Sequence, residues 1–196
     1  MNKIFLFFVS LFILSCTSSL VNYSTFNLSE SEYESRIENF SDHTQKYDGP
    51  YNLFEVSATL LNSTVIEAQS LRQATVFDWN QSKYQTELQS RLENNKNKTQ
   101  VFVSFYSPDK KSGDLLRADT LWKITLKFDG KEFQGKPKKL NLLPIEIKSL
   151  YPSFTRWSTG FMVTFDLPVV TFEKHPSELF ITGPAGTAEL KFKALN

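Results

Sequence analysis

Residues 121–133 read LWKITLKFDGKEF, and this stretch decides the fold class. Apolar and polar side chains alternate along its first half, with the two-residue period of a β-strand that has one buried face. The apolar set is Trp122, Ile124, Leu126 and Phe128. Asp129 and Gly130 then stand where a tight turn between antiparallel strands needs residues that accept positive φ. The stretch therefore predicts a β-hairpin, and with it an antiparallel sheet.

The same strand pattern recurs on both sides of this hairpin. Residues 54–60 alternate in the same way, and Ala188, Leu190 and Phe192 do so in a last strand after a turn at residues 183–186. Further strands are expected at residues 100–106, 145–150, 160–166, 169–172 and 178–182. The predicted fold class is mainly β or α+β, as an antiparallel β-sandwich or a partly open barrel.

About two amphipathic helices are expected in the N-terminal half. Ser29 and Glu32 have the spacing of a capping box, and the helix that they start is expected to extend towards residues 48–50. Asp78 is the expected cap of the second helix, whose apolar stripe is Tyr84, Leu88 and Leu92. Residues 64–77 fit either a strand or a helix.

The first sixteen residues have a composition of their own. A start with one basic residue, Lys3, is followed by the apolar residues 4–14, broken only by Ser10, and then by small polar residues around Cys16. This is the order of a secretory signal. A helix over residues 4–14 spans only about 16 Å, half of the hydrocarbon core of a bilayer. We therefore expect a cleaved leader rather than a transmembrane helix.

The segment Ile13-Leu14-Ser15-Cys16 resembles the lipobox of bacterial lipoproteins, with Ile13 in place of the commoner leucine. The resemblance implies cleavage after Ser15, a diacylglyceryl group on the Cys16 sulfur and acylation, as with palmitate, of the new amino group. Thr17, rather than an aspartate, follows the cysteine, which implies the outer membrane. The alternative is an ordinary signal peptide with a coincidental cysteine, although Cys16 is the only cysteine of the chain.

This interpretation divides the chain into a signal peptide at residues 1–15, a lipid-anchored flexible tether at 16–27 and a single β-rich globular domain at 28–196. The whole chain has 22 Lys and Arg against 21 Asp and Glu, and losing Lys3 with the leader balances them. Such a balance argues against nucleic-acid binding. The expected partners are the membrane, through Cys16, and an envelope protein, lipid or cell-wall polymer.

No residue pattern of a catalytic site is recognisable in the sequence. The two histidines, His43 and His175, have no further ligands at metal-binding spacing, so no metal site is predicted. Neither a Gly-x-Ser-x-Gly turn nor a phosphate-binding glycine loop is present, and no cofactor is predicted. Three acids, Asp114, Asp119 and Asp166, are not excluded as a catalytic set formed on folding. Enzymatic activity is nevertheless not favoured.

One loop has the composition of a binding surface. Tyr151, Phe154, Arg156 and Trp157 lie close together around Pro152, and aromatic residues with an arginine are enriched at interfaces. The alternative is that these aromatic side chains pack against a sheet. Together these observations predict a bacterial envelope lipoprotein that acts by binding or structural contact. A protein that binds lipid or another apolar ligand, and an envelope enzyme, are the alternatives.

Overall fold

A computed structural model describes residues 26–109, 113–116 and 121–195. The predicted leader and tether, with Ser15 and Cys16, lie outside the described residues except for the last two residues of the tether, Phe26 and Asn27. The helices and strands in chain order are α1 (Glu30–Glu38), β1 (Ser41–Asp48), β2 (Tyr51–Leu60), α2 (Ser63–Val76), α3 (Gln81–Asn94), β3 (Thr99–Tyr106), β4 (Lys123–Phe128), β5 (Lys131–Gln134), β6 (Lys136–Lys139), α4 (Pro144–Leu150), β7 (Thr159–Phe165), α5 (Val169–Phe172), β8 (Ser177–Gly183) and β9 (Gly186–Phe192).

The strands form two antiparallel sheets, which confirms the predicted fold class. The larger sheet has the order β1-β2-β3-β7-β6 and the smaller sheet has the order β5-β4-β8-β9. They are not joined into a closed barrel. The chain passes from the smaller sheet to the larger one at Gly135, where an added Cβ atom would lie 2.6 Å from Val163. A glycine at this crossing lets the backbone approach the core closely.

The core between the sheets is built from alternate residues of the strands β2, β3, β4, β7, β8 and β9. The predicted apolar face of β2 is confirmed, because Phe54, Val56, Ala58 and Leu60 are all buried. The Phe54 ring lies 5.6 Å from the Trp122 ring in an edge-on contact. Asp129 and Gly130 form the predicted hairpin turn with φ of 48° and 69°.

Helices and the loop after α4 cover the other face of the larger sheet. Phe102 of β3 points to this side and stacks on Tyr151, with ring centroids 3.7 Å apart and planes 9° from parallel. Gly160 of β7 leaves room there for Ile147 of α4, whose Cδ1 atom would lie 3.3 Å from an added Cβ atom. The described chain therefore has three layers: the smaller sheet, the larger sheet and the helices.

Two of the predicted strands are wrong. Residues 145–150 belong to helix α4, which begins at Pro144. Proline suits the first turn of a helix, and the Leu143 amide N–H donates to the Glu146 carboxylate at 2.7 Å, so this start is stabilised by its own sequence. Residues 169–172, also expected to be a strand, form the short helix α5 after Pro168.

Predictions in the N-terminal half need three corrections. Helix α1 ends at Glu38, and the residues up to Asp48 form the edge strand β1 instead of more helix. Helix α3 is capped by Asn80, whose side chain accepts from the Lys83 N–H at 2.8 Å, whereas Asp78 has a φ of 48°. The ambiguous residues 64–77 lie mostly in α2, so this half has three helices rather than two.

Gly183 is a position where the smaller sheet tolerates no side chain. An added Cβ atom would lie 2.2 Å from the Trp122 ring, which is rigid and packed against Phe54. We expect Gly183→Ala to lower the free energy of unfolding by about 1–3 kcal/mol, the usual cost of overpacking. Urea denaturation measures it. Gly113→Ala is the control, because its nearest neighbour would be 3.5 Å away; equal losses in the two variants would contradict this account.

Candidate functional site

The structure separates the four residues of the predicted binding surface. Tyr151 and Phe154 are each only 3% exposed and pack on Phe102, so their rings are not available at the surface. Trp157 is 69% exposed, and the Arg156 guanidinium lies 4.4 Å from its ring centroid. Trp157 also lines a small cavity of about 200 Å³. A binding role for Arg156 and Trp157 stays a prediction.

Two buried tyrosines lie between the larger sheet and the helices. The Tyr33 hydroxyl donates to the Leu150 carbonyl oxygen at 2.7 Å, and the Gln69 amide donates to the same oxygen at 3.4 Å. Burial raises the pKa of Tyr151 to about 12, and it raises the pKa of Tyr33 well above its usual value. Both hydroxyls are thus held neutral, which links the stability of this layer to pH.

We expect the free energy of unfolding to fall at alkaline pH because of Tyr151. Below pH 10 its hydroxyl is neutral in both states, whereas between pH 10 and pH 12 only the unfolded chain ionises. The loss over this interval is expected to be about 2–3 kcal/mol, at about 1.4 kcal/mol per pH unit. Urea denaturation at pH 8, 10 and 11 measures the first half of this interval, in which Tyr151 is expected to cost about 1 kcal/mol.

Tyr151→Phe keeps the ring and removes one ionising group, so it is expected to remove the part of the alkaline fall that Tyr151 causes. The part caused by Tyr33, whose pKa burial also raises, is expected to remain. Tyr51→Phe is the matched control, because the Tyr51 side chain is 73% exposed. Identical pH dependence in the two variants would show that the buried hydroxyl at position 151 is not the cause.

A polar cleft, here called the amide cleft, opens at the C-terminal end of α3. It has a volume of about 600 Å³. Two of its lining side chains, Leu61 and Ile66, are apolar and buried, and most of the rest of its wall consists of amides. The amide side chains are Gln69, Asn94, Asn95, Asn97 and Gln100. Three secondary-structure elements supply this wall, since Gln69 lies on α2, Asn94 on α3 and Gln100 on β3.

The charges of the amide cleft come from three residues. Arg91 and Lys98 are cationic, and Glu93 is the one carboxylate among the lining residues. Arg91 donates to the Gln73 side-chain oxygen, which fixes its position, and Glu93 forms an ion pair with Lys96. Most of the side chains that can form hydrogen bonds in the cleft are therefore uncharged amides, which both donate and accept hydrogen bonds. The sequence alone did not predict this site; the three asparagines among residues 94–97 are its only local signal.

The described residues do not bring the candidate acids together. Asp114 lines the cavity beside Trp157 at one end of β7, whereas Asp166 follows the other end of that strand. The hydrogen bond from Lys136, 2.6 Å long, holds the pKa of Asp166 below its usual value. Asp119 lies outside the described residues. A pair of convergent carboxylates, as acid–base catalysis needs, is thus not formed by Asp114 and Asp166.

Glu173 is the one buried carboxylate of the described chain, at 7% exposure. It accepts from the N–H and the hydroxyl of Ser63, at 3.3 Å and 3.2 Å, and so stabilises the start of α2. His43 and His175 are both exposed, on β1 and in the loop after α5. Among the residues with described positions, no group of three or more His, Cys, Asp or Glu side chains could hold a metal ion.

Comparisons with known proteins give no family for this chain. No family model matches it, and neither the curated proteins nor the solved structures give a match. Within the part of the chain described here, none of the helices has both the length and the apolar character needed to cross a bilayer.

Proposed function

We propose that this chain is a membrane-anchored bacterial envelope lipoprotein whose β-rich domain acts by binding or structural contact. One observation carries the proposal: the single cysteine, Cys16, follows an apolar leader directly and is preceded by a small residue, Ser15. Two or three acyl chains at this residue anchor a protein far more firmly than one, since each buried methylene contributes about 0.8 kcal/mol.

The short sequence separation between Cys16 and the first described residue of the domain fits this proposal. Phe26 is the first described residue, and its ring already packs on Tyr84 with centroids 4.7 Å apart. The ten residues from Cys16 to Phe26 reach at most about 36 Å when fully extended. They leave the folded domain close to the bilayer while keeping the lipid outside it.

Metabolic labelling tests the anchor. Bacteria that express the full chain are grown with radiolabelled palmitate, and the purified protein is counted. The unchanged chain and the neighbouring control Thr17→Ala are expected to carry label, whereas Cys16→Ala is expected to carry none. Label that persists on Cys16→Ala would refute the proposal. Because Thr17 stands where an aspartate retains such proteins in the inner membrane, the labelled protein is expected in the outer-membrane fraction.

The amide cleft favours a second, more specific function for the same protein: binding a polar, uncharged ligand rich in hydroxyl and acetamide groups, such as a cell-wall glycan. Asparagine and glutamine amides match such groups because they both donate and accept hydrogen bonds. The cleft volume of about 600 Å³ lies in the range of small-molecule sites.

Calorimetric titration of the purified full chain with soluble N-acetylglucosamine oligomers tests this second function. We expect measurable binding that the double variant Asn94→Ala, Asn97→Ala weakens about tenfold, since each lost hydrogen bond costs about 0.5–1.5 kcal/mol. Asn141→Ala, an exposed asparagine outside the cleft, is the control. Absence of binding, or equal affinity in all variants, would exclude the cleft as a glycan site.

A further inference from the structure

Exposed apolar side chains, here called the apolar patch, lie along a groove between the C-terminal end of α2 and helix α4. The groove has a volume of about 320 Å³ and is lined by Val76, Phe77 and Leu142 among others. Leu143, the N-cap of α4, follows Leu142 in the chain, and Ile145 lies on the first turn of the same helix. The patch consists of five side chains that are between 43% and 73% exposed: Val76, Phe77, Leu142, Leu143 and Ile145. Exposed apolar side chains grouped in this way indicate an interaction surface.

The chain enters the domain beside this patch. The Thr75 hydroxyl donates to the Phe26 carbonyl oxygen at 3.1 Å, and Thr75 immediately precedes Val76. The segment that leads back to Cys16 therefore starts from the same end of α2 that carries the patch. The surface next to this entry point can therefore contact the anchoring bilayer when the tether is least extended. Any other surface of the domain needs a more extended tether to make the same contact.

The residues around the patch suit the boundary between water and lipid. Phe77 stacks on Trp79 with ring centroids 6.2 Å apart, and the Lys83 ammonium lies 5.1 Å from the Trp79 ring. Aromatic and cationic residues flank the apolar face of interfacial membrane-binding helices in this way. The one acid among the groove residues, Glu146, already accepts from the Leu143 N–H.

We propose that the apolar patch docks on the surface of the phospholipid bilayer that holds the lipid anchor. This inference rests on the proposed function, because the tether makes the contact intramolecular. Effective concentrations of tethered groups are about millimolar, so a contact too weak to bind free protein is still populated. The domain is then held with α2 and α4 towards the membrane and the smaller sheet away from it.

Fluorescence quenching tests the orientation. The lipidated full chain is reconstituted in vesicles of phosphatidylethanolamine and phosphatidylglycerol. Ile145→Cys and the control Thr187→Cys, on exposed β9, are each labelled with a polarity-sensitive thiol probe. The unchanged chain is expected to take no label, because its only cysteine is blocked by lipid. We expect nitroxide-labelled phospholipid to quench the probe at position 145 about threefold more than the probe at position 187. Aqueous iodide is expected to quench the probe at position 187 more than the probe at position 145.

Each other outcome decides against one or both proposals. Protein that does not float with the vesicles, or an unchanged chain that takes the label, overturns the lipid anchor and the docking with it. Protein that floats, with equal iodide quenching at both positions, overturns the docking alone. A probe at position 145 that neither iodide nor the nitroxide reaches shows that a protein covers the patch, which also overturns membrane docking.

Discussion

Phe102→Ala is expected to lower the free energy of unfolding by about 3–5 kcal/mol, the cost of deleting a buried phenylalanine ring from a packed core. Phe102 has no exposed surface. Its ring stacks on Tyr151 at 3.7 Å and meets Phe154 edge-on at 6.4 Å. Removing it leaves a cavity between the larger sheet and the loop after α4. Urea denaturation at pH 7 measures the loss.

Phe180→Ala is the matched control for this variant. Phe180 lies on the outer face of the smaller sheet, partly exposed beneath the Lys127 ammonium, which is 4.7 Å from its ring. Its removal is expected to cost about 1 kcal/mol or less. Similar losses for Phe102→Ala and Phe180→Ala would mean that the helical layer is not packed on the sheet as described.

Phe54→Ala is expected to cost a similar 3–5 kcal/mol, but in the core between the two sheets. The Phe54 side chain is fully buried, with the Phe105 ring at 6.0 Å and the Trp122 ring at 5.6 Å. Phe54→Leu keeps most of the volume and is expected to lose about 1.5 kcal/mol or less. Urea denaturation of the two variants measures the difference.

The double variant Phe54→Ala, Phe102→Ala separates the two layers. Phe102 is paired with Thr59, five residues along β2 from Phe54, and the two rings point to opposite faces of the larger sheet. Five residues of strand span about 16 Å, beyond the distance at which substitutions normally couple. The losses are therefore expected to add to within about 0.5 kcal/mol. Strong coupling would contradict the three-layer arrangement.

Strands with one solvated face were predictable because their side chains alternate. This holds for β4 and β9, whose buried residues are among the predicted ones. On β2 the predicted face is buried, but Ser57 and Thr59 on the opposite face are buried as well, because the helical layer covers it. Strand β1 was missed because its sequence, SDHTQKYD, has no apolar alternation and none of its side chains is buried. It forms through its hydrogen bonds to β2, and a local pattern does not record such pairing. Helix α4 was misread because its apolar residues also fit a short strand.

The candidate sites depend on contacts that no local pattern records. Tyr151 and Trp157 are six residues apart in one aromatic loop, yet the first is buried and the second exposed. The difference arises because Phe102 of strand β3 stacks on Tyr151. The amide cleft combines residues of α2, α3 and β3. The patch beside Phe26 likewise needs α2 and α4 to meet. The proposed role of Cys16, in contrast, rests on its flanking sequence alone.

The central claim is that the mature protein begins at a lipid-bearing Cys16. Intact-mass spectrometry of the chain purified from the membranes of an expressing bacterium tests it most directly. The account predicts a mass that corresponds to loss of residues 1–15 with a diacylglyceryl group and a further acyl chain added at residue 16. A mature chain that begins at any other residue, or that begins at Cys16 with a free thiol, would contradict it.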